Sequence, residues 1–497
     1  MTTDSRAISG GADARELDRL VREAVDQAHE HVRRLASERR LLFRHYDFPS
    51  LGAYTPSGLP RVSRVEGPLN YAAPFTSGAG DEWHVSWTNV PAIEGLANLI
   101  GRNPDLRARL VLPGIEALAD SEQTVLLRVI AGSLPLQLLD RLIHTSGHDF
   151  SESDFEAAWG PLRNALLRDE LAAEVVVPIA LTAFDIQEVA QLTPTTRIER
   201  LPPGEQLARS PKTIWDAAAH SCVVEAATHA VVITGASFPG GDRMRLDYTA
   251  FDFYPARAID SVFDALRLAT RVPVGYAQIY LRPVDWAWHY TADLPPLVSG
   301  AFVRRYPPAF DRYGWLRKPA RITADEITRA AVILGAFDEA PSNLLLAARR
   351  FGIAALRSTE EDAVLDLCIA LESALSDKQK TEMTHKLALR SAAVLSRGDD
   401  PTSPSQAFHQ VKQLYGWRSA IVHGEDPAKA KHRLEQASAS ARSALEVATS
   451  LARGVVRGVV ENPELRDTNR IDHDLLLAGL MNQGRPDDDP GFLPSDP

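Results

Sequence analysis

The sequence predicts an α+β multidomain chain, a helical and β-containing N-terminal region followed by an all-α helical bundle. Three observations carry that expectation. At 497 residues the chain exceeds one ordinary domain of about 100 to 200 residues. Its apolar residues recur with a helical period towards both ends. Between them the texture changes to β-branched runs bounded by Gly and Pro.

In chain order, residues 1–173 read as a mainly helical region. The stretch from Ala14 to Arg40 places Leu17, Leu20, Val21, Ala24, Val25 and Ala28 at helical spacing. A polar, Pro- and Gly-containing stretch follows to about residue 82, and further helical patterns run from Ala92 to Leu171, with Ser151 or Ser153 placed to cap one of them. Residues 174–321 read as an α+β or β-rich middle region and a candidate sensor. "EVVVPIALTAFD", "HAVVITGASF" and "GYAQIYLRPV" are its strand candidates, and "DWAWHY" alternates like a further one. Residues 322–460 return to a helical pattern, opened by Thr323 and Glu326 at the spacing of a capping box. Residues 461–497, ending "GRPDDDPGFLPSDP", read as a mostly disordered acidic tail.

Composition narrows the function classes. Two cysteines, Cys222 and Cys368, suggest neither a disulfide framework nor a cysteine-based zinc site, which suits a reducing cytoplasm. No stretch approaches the roughly 18 apolar residues of a spanning helix, and the N-terminus lacks a signal-peptide core, so no membrane association is expected. A net charge of −11 argues against a surface that binds nucleic acid everywhere. The charge is uneven, however: residues 341–460 hold 16 Lys+Arg against 13 Asp+Glu. Any RNA contact is therefore expected to be local.

The most informative segment is "LYGWRSAIVHGEDP", residues 414 to 427. At 100° per residue, Val411, Leu414, Tyr415, Ile421 and Val422 fall on one arc with Arg418 at its centre. A buried guanidinium without a partner costs several kcal/mol, so Arg418 needs a carboxylate or a cleft shared with a ligand. Glu372, beside the apolar stripe Val364, Leu367, Cys368, Leu371 and Leu375, is the candidate carboxylate. His423 shares a flank of the helix with Lys412 and Ser419. Gly424 supplies a C-terminal stop, and Asp426 with Pro427 reads as the N-cap and first residue of the next helix.

Arginine, histidine and a hydroxyl together suit metal-free RNA cleavage. In that reaction the ribose 2′-hydroxyl attacks its own phosphodiester, histidine moves protons, and arginine stabilises the developing charge. Spacing alone is not specific: with 46 Arg and 14 His, about four R-x(4–6)-H pairs arise by chance. The two histidines of "HTSGH", His144 and His148, have the i, i+4 spacing of a metal pair, but Gly147 and the lack of a third ligand make a loop coincidence the better reading.

"EEDAVLDLCIALESALS", "HKLALRSAAVLS" and "VKQLYGWRSAIVHGE" stand in the order and approximate spacing of conserved blocks in a known family. Together they resemble the Apea-like branch of the HEPN superfamily, whose last motif typically reads Tyr-x-x-Arg-Ser-x-Ile-Val-His-Gly. The resemblance covers residues 322–460. It implies an all-α bundle that dimerises, a composite cleft formed by two chains, and a metal-independent endoribonuclease of antiphage or toxin-like systems that needs no cofactor. By it Arg418 and His423 correspond to the catalytic pair; the reading of the residues adds Ser419, Glu372 and Tyr415 as supporting groups and Lys412 as a contact to RNA. Many HEPN nucleases carry Asn, Asp or His directly after the arginine, where this chain has Ser419. The expected partners are RNA, a second copy of the chain, and a phage or cellular trigger sensed by the N-terminal region. The alternative is a non-catalytic HEPN module for dimerisation or RNA binding.

Overall fold

The computed structural model describes residues 11–473 apart from 42, 53–56, 77–83, 87–88, 187–188, 211–218, 242–245, 313–315, 378–381, 399–401 and 439–441. Helix α1 (Gly11–Ser37) buries all six apolar positions predicted from its spacing, together with Val32 and Leu35. It packs against α2 (Pro91–Arg102) and α3 (Asp120–Ser146). Helix α4 (Glu152–Leu167) begins with a capping box in which the Ser151 hydroxyl accepts from the Asp154 N–H. Asp154 Oδ2 in turn accepts from the Ser151 N–H at 2.7 Å. These helices share one apolar core that includes Phe75, Leu96, Leu139 and Trp159. A short antiparallel ladder, Phe48–Leu51 with Val62–Val65, interrupts the helical region.

The middle region holds a seven-stranded antiparallel sheet. Its strands are β1 (Glu170–Ala180), β2 (Ala190–Thr193), β3 (Thr196–Arg200), β4 (Ala227–Pro239), β5 (Tyr276–Gln278), β6 (Tyr280–Pro283) and β7 (Phe302–Arg305). The order is β7-β5-β1-β4-β3-β2, with β6 also pairing β1. The alternation of β1 divides its side chains between two faces. Val175, Val177 and Ile179 join the core beneath α5 (Ala256–Ala269), whereas Val176 meets Val232 and Tyr280 on the opposite face. That second face also carries an ion network: Arg282 reaches Glu174, Glu199 and Glu205 at 2.7 to 2.8 Å, and Arg197 reaches Glu174 and Glu199. Charges this poorly solvated persist because each has several partners.

The C-terminal region is helical: α6 (Ala324–Asp338), α7 (Ser342–Ala354), α8 (Glu360–Leu375), α9 (Met383–Leu395), α10 (Pro404–His423), α11 (Pro427–Gln436) and α12 (Ala444–Glu461). The capping box of Thr323 and Glu326 opens α6. Leu451, Val455, Val456, Val459 and Val460 of α12 are buried among the other helices, as an amphipathic helix laid against a bundle requires.

Several boundaries differ from the sequence reading. The sheet starts at Glu170 rather than 174. Nothing separates two cores at 321/322: Arg321–Ile322 pairs in parallel with Ala183–Phe184, α6 packs on α5, and one apolar core runs from the sheet through the C-terminal helices. Tail residues 463–473 are folded, because Leu465 and Ile471 reach that core and Asp472 pairs with Arg390 at 2.7 Å. The rest of the tail, 474–497, lies outside the described residues. "DWAWHY" is irregular rather than a strand, yet Trp286, Ala287 and Tyr290 are buried. No helix among the described residues is long and apolar enough to cross a membrane.

Candidate functional site

Helices α8 and α10 bring together three of the residues singled out from sequence. Thr359 caps α8 by accepting from the Asp362 N–H, and Ser403 with Pro404 begins α10. The apolar stripe of α8, Val364, Leu367, Cys368, Leu371 and Leu375, is buried as its spacing predicts, which leaves Glu372 at the edge facing α10. Glu372 Oε1 lies 3.6 Å from Arg418 Nη2. The Tyr415 hydroxyl donates to the same oxygen at 3.3 Å and lies 3.4 Å from the Cys368 carbonyl. The carboxylate demanded by an arginine on a largely apolar face is thus the one proposed for it.

Burial sets the chemistry around this pair. It pushes the Cys368 thiol up to about 12, Glu372 adding to the rise and Arg418 opposing it. That thiol is therefore neutral and no nucleophile. The Tyr415 phenol is raised too, chiefly by burial and then by Cys368 and Glu372, so it remains a hydrogen-bond donor. Arg418 differs from both: its side chain is 36% exposed while Glu372 holds it. The guanidinium is held by Glu372 through Nη2 at 3.6 Å while the side chain remains partly exposed.

The buried arc of α10 is not the one projected from sequence. Val422 is 54% exposed and Trp417 is 1% exposed, although Val411, Leu414 and Tyr415 are buried as expected. The reason is packing on several sides, since α10 touches α8, α9, α11 and α12. Gln410 and Trp417 are enclosed, and the C-terminal end emerges from the bundle. Lys412, Gly416, Ser419 and His423 form one exposed stripe along the remaining face. Lys412 Nζ sits 5.5 Å from the centre of the Phe408 ring. A Cβ added at Gly416 would meet nothing within 4 Å. Helix α10 ends at Gly424, with φ of +69°, and Asp426 caps α11 by accepting from the Ala428 N–H. Among the described residues no hydrogen bond fixes the His423 ring.

Two further clusters went unread in the sequence. In the middle region a cavity of about 370 Å³ is lined by Arg200, Lys318, Arg321 and His229. Burial, helped by Arg200, lowers the His229 imidazole to about 4. In the N-terminal region His144 and His148 do not share a site. His148 stacks on His29, with centroids 5.5 Å apart, whereas His144 turns towards Asp140 and His45. His45, Asp140 and His144 are the one group among the described residues whose donor atoms converge closely enough to hold a metal ion. The available signal was Asp140 and His144 at i, i+4 on one helix face; His45, 95 positions from Asp140, has no local signature.

Compared with known proteins, the chain matches no family model, no curated protein and no solved structure.

Proposed function

We propose that the C-terminal helices form an HEPN-type endoribonuclease module that cleaves RNA without metal. The ribose 2′-hydroxyl attacks the adjacent phosphorus, Arg418 stabilises charge on the phosphate oxygens, and His423 transfers protons. Ser419 hydrogen-bonds the substrate, Glu372 and Tyr415 position Arg418, and Lys412 contacts the RNA backbone. Two chains dimerise through this module to form the composite cleft. Residues 1–321 sense a phage or cellular trigger, which places the activity in antiphage defence or a toxin-like stress response.

One observation carries the reading: Arg418 is tied to Glu372 yet 36% exposed, beside an exposed stripe holding Lys412, Ser419 and His423. The pairing orients the guanidinium and the exposure leaves it within reach of a phosphate. A second reading, a non-catalytic HEPN module for dimerisation or RNA binding, is favoured by the His423 ring, which no hydrogen bond among the described residues orients within one chain.

Labelled total RNA and tRNA incubated in EDTA with wild type, Arg418→Ala and His423→Ala separate the two. Circular dichroism first confirms that each protein is folded. Wild-type fragments ending in 2′,3′-cyclic phosphate and 5′-hydroxyl, reduced at least a hundredfold in both variants and absent with DNA, are expected. If wild type is as inert as the variants, and its overexpression leaves growth unchanged, the module is a binding platform.

A further inference from the structure

The two ends of the segment 43–70 are stitched together by backbone hydrogen bonds. Asn70 N–H donates to Phe43 O, His45 N–H to Pro68 O and Gly67 N–H to His45 O, at 2.8 to 3.0 Å. This ladder sets His45 and the Leu69 carbonyl over the face of α3 that carries Asp140 and His144. Asp140 is 4% exposed, and the His45 and His144 side chains are 16% and 13% exposed. His45 Nε2 lies 3.0 Å from Asp140 Oδ2, and His144 Nε2 lies 3.5 Å from Asp140 Oδ1 and 2.8 Å from the Leu69 carbonyl. The donor atoms of the three side chains all lie within 4.8 Å of one another.

We propose that His45, Asp140 and His144 bind a zinc-class divalent cation. Donors about 2.0 to 2.1 Å from a tetrahedral zinc are about 3.3 Å apart, and the observed separations fall on both sides of that edge length. Two imidazoles and one carboxylate suit zinc or cobalt; magnesium and calcium prefer all-oxygen shells. The fourth position falls to the Leu69 carbonyl or to water. The Tyr71 N–H donates to Asp140 Oδ1 at 2.9 Å and fixes the carboxylate, which is the outer-shell support that metal-binding carboxylates receive. Two ligands one turn apart on α3 form a rigid jaw, and His45 closes it from the ladder. The cation fastens the ladder of residues 43–45 and 67–70 to the helical core. It lies in the N-terminal helical region and supplies nothing to the cleavage chemistry proposed for α10.

The test uses the full-length chain and reads metal content and stability, so its result is separate from that of the RNA assay. Protein produced with zinc in the medium is dialysed, and its metal is counted by mass spectrometry. EDTA-stripped protein is then melted with and without added zinc chloride, and cobalt chloride is added to look for the visible absorption of tetrahedral cobalt. Expected are one zinc per chain, a melting temperature raised by several degrees on adding zinc, and a cobalt band. Asp140→Asn and His144→Gln should lose all three responses. Should either variant fail to fold, the stripped wild type with and without zinc carries the comparison alone. Folded wild type that holds well under a tenth of an equivalent of zinc, and neither gains stability from it nor colours with cobalt, overturns the proposal; the cluster is then a hydrogen-bonded His–Asp–His clamp.

Discussion

The N-terminal helices and the C-terminal helices are both amphipathic, yet they bury their apolar faces in different ways. The first group closes mainly on itself: residues 17–166 share a core to which, among the described residues, the rest of the chain adds the buried Ala287 and Tyr290. The second group does not close on itself. Ile322, Ile327, Ala330 and Ile333 belong to the same cluster as Phe263 and Val177 of the sheet region. A helical pattern tells which face is buried and says nothing about what buries it. Two cooperative units follow, with their division near residue 168 rather than at 321.

Calorimetry tests that division by asking which of two transitions moves. The largest effect is expected from Phe263→Ala, since Phe263 is fully buried and packs on Tyr276 with ring centroids 4.6 Å apart. The loss should be about 3 to 5 kcal/mol and should lower only the transition of the sheet with the C-terminal helices. Leu139→Ala, also fully buried, should lower only the other transition by about 2 to 5 kcal/mol. If either substitution moves both transitions equally, the chain is one unit.

Gly352→Ala probes the seam directly. A Cβ at Gly352 on α7 would overlap the carboxylate of Asp264 on α5, which Arg267 holds at 3.0 Å. About 1 to 3 kcal/mol should be lost from the second transition, as overpacking a tight contact does. An unchanged thermogram would mean that α7 rests on α5 more loosely than this.

The smallest expected effect depends on pH. The folded chain holds His229 near 4, whereas the unfolded side chain titrates near 6.5. Between those values the unfolded state takes up a proton that the folded state refuses, so stability falls as pH drops through this window. His229→Gln removes the term. Its second transition should lose about 1 to 2 kcal/mol less than wild type between pH 7 and pH 5. The first transition contains its own depressed histidine, His29, held near 4 by burial and by Arg33 and His148, and should keep its acid sensitivity unchanged. Equal acid slopes in wild type and variant would place His229 in a more solvated setting.

What could be read from the sequence was what short range decides. The buried stripe of α1, the caps at Ser151 and Thr323, and the Gly424 stop depend on neighbours within one or two turns, and each is found as expected. The pairing of Glu372 with Arg418 spans 46 positions but was legible because a charge on an apolar face must be matched. Trp417 was missed because α10 is enclosed on more sides than one amphipathic projection allows. The order of the sheet, the shared core and the meeting of His45 with Asp140 arise from chain reversals that leave no periodic mark.

The loop from Asp285 to Leu294 is a peg that the sheet region lends to the helical core. Tyr290 donates to the Ala158 carbonyl at 2.9 Å, the Ala287 N–H donates to Pro161 O, and Arg141 reaches the carbonyls of Ala292 and Leu294. On the ribosome this peg arrives late. Helix α4 ends at Leu167 and Tyr290 is made 123 residues afterwards, a delay of roughly 6 to 25 seconds at bacterial to eukaryotic elongation rates. Throughout that interval the nascent helices lack Ala287 and Tyr290, the two buried side chains that the peg adds to their core.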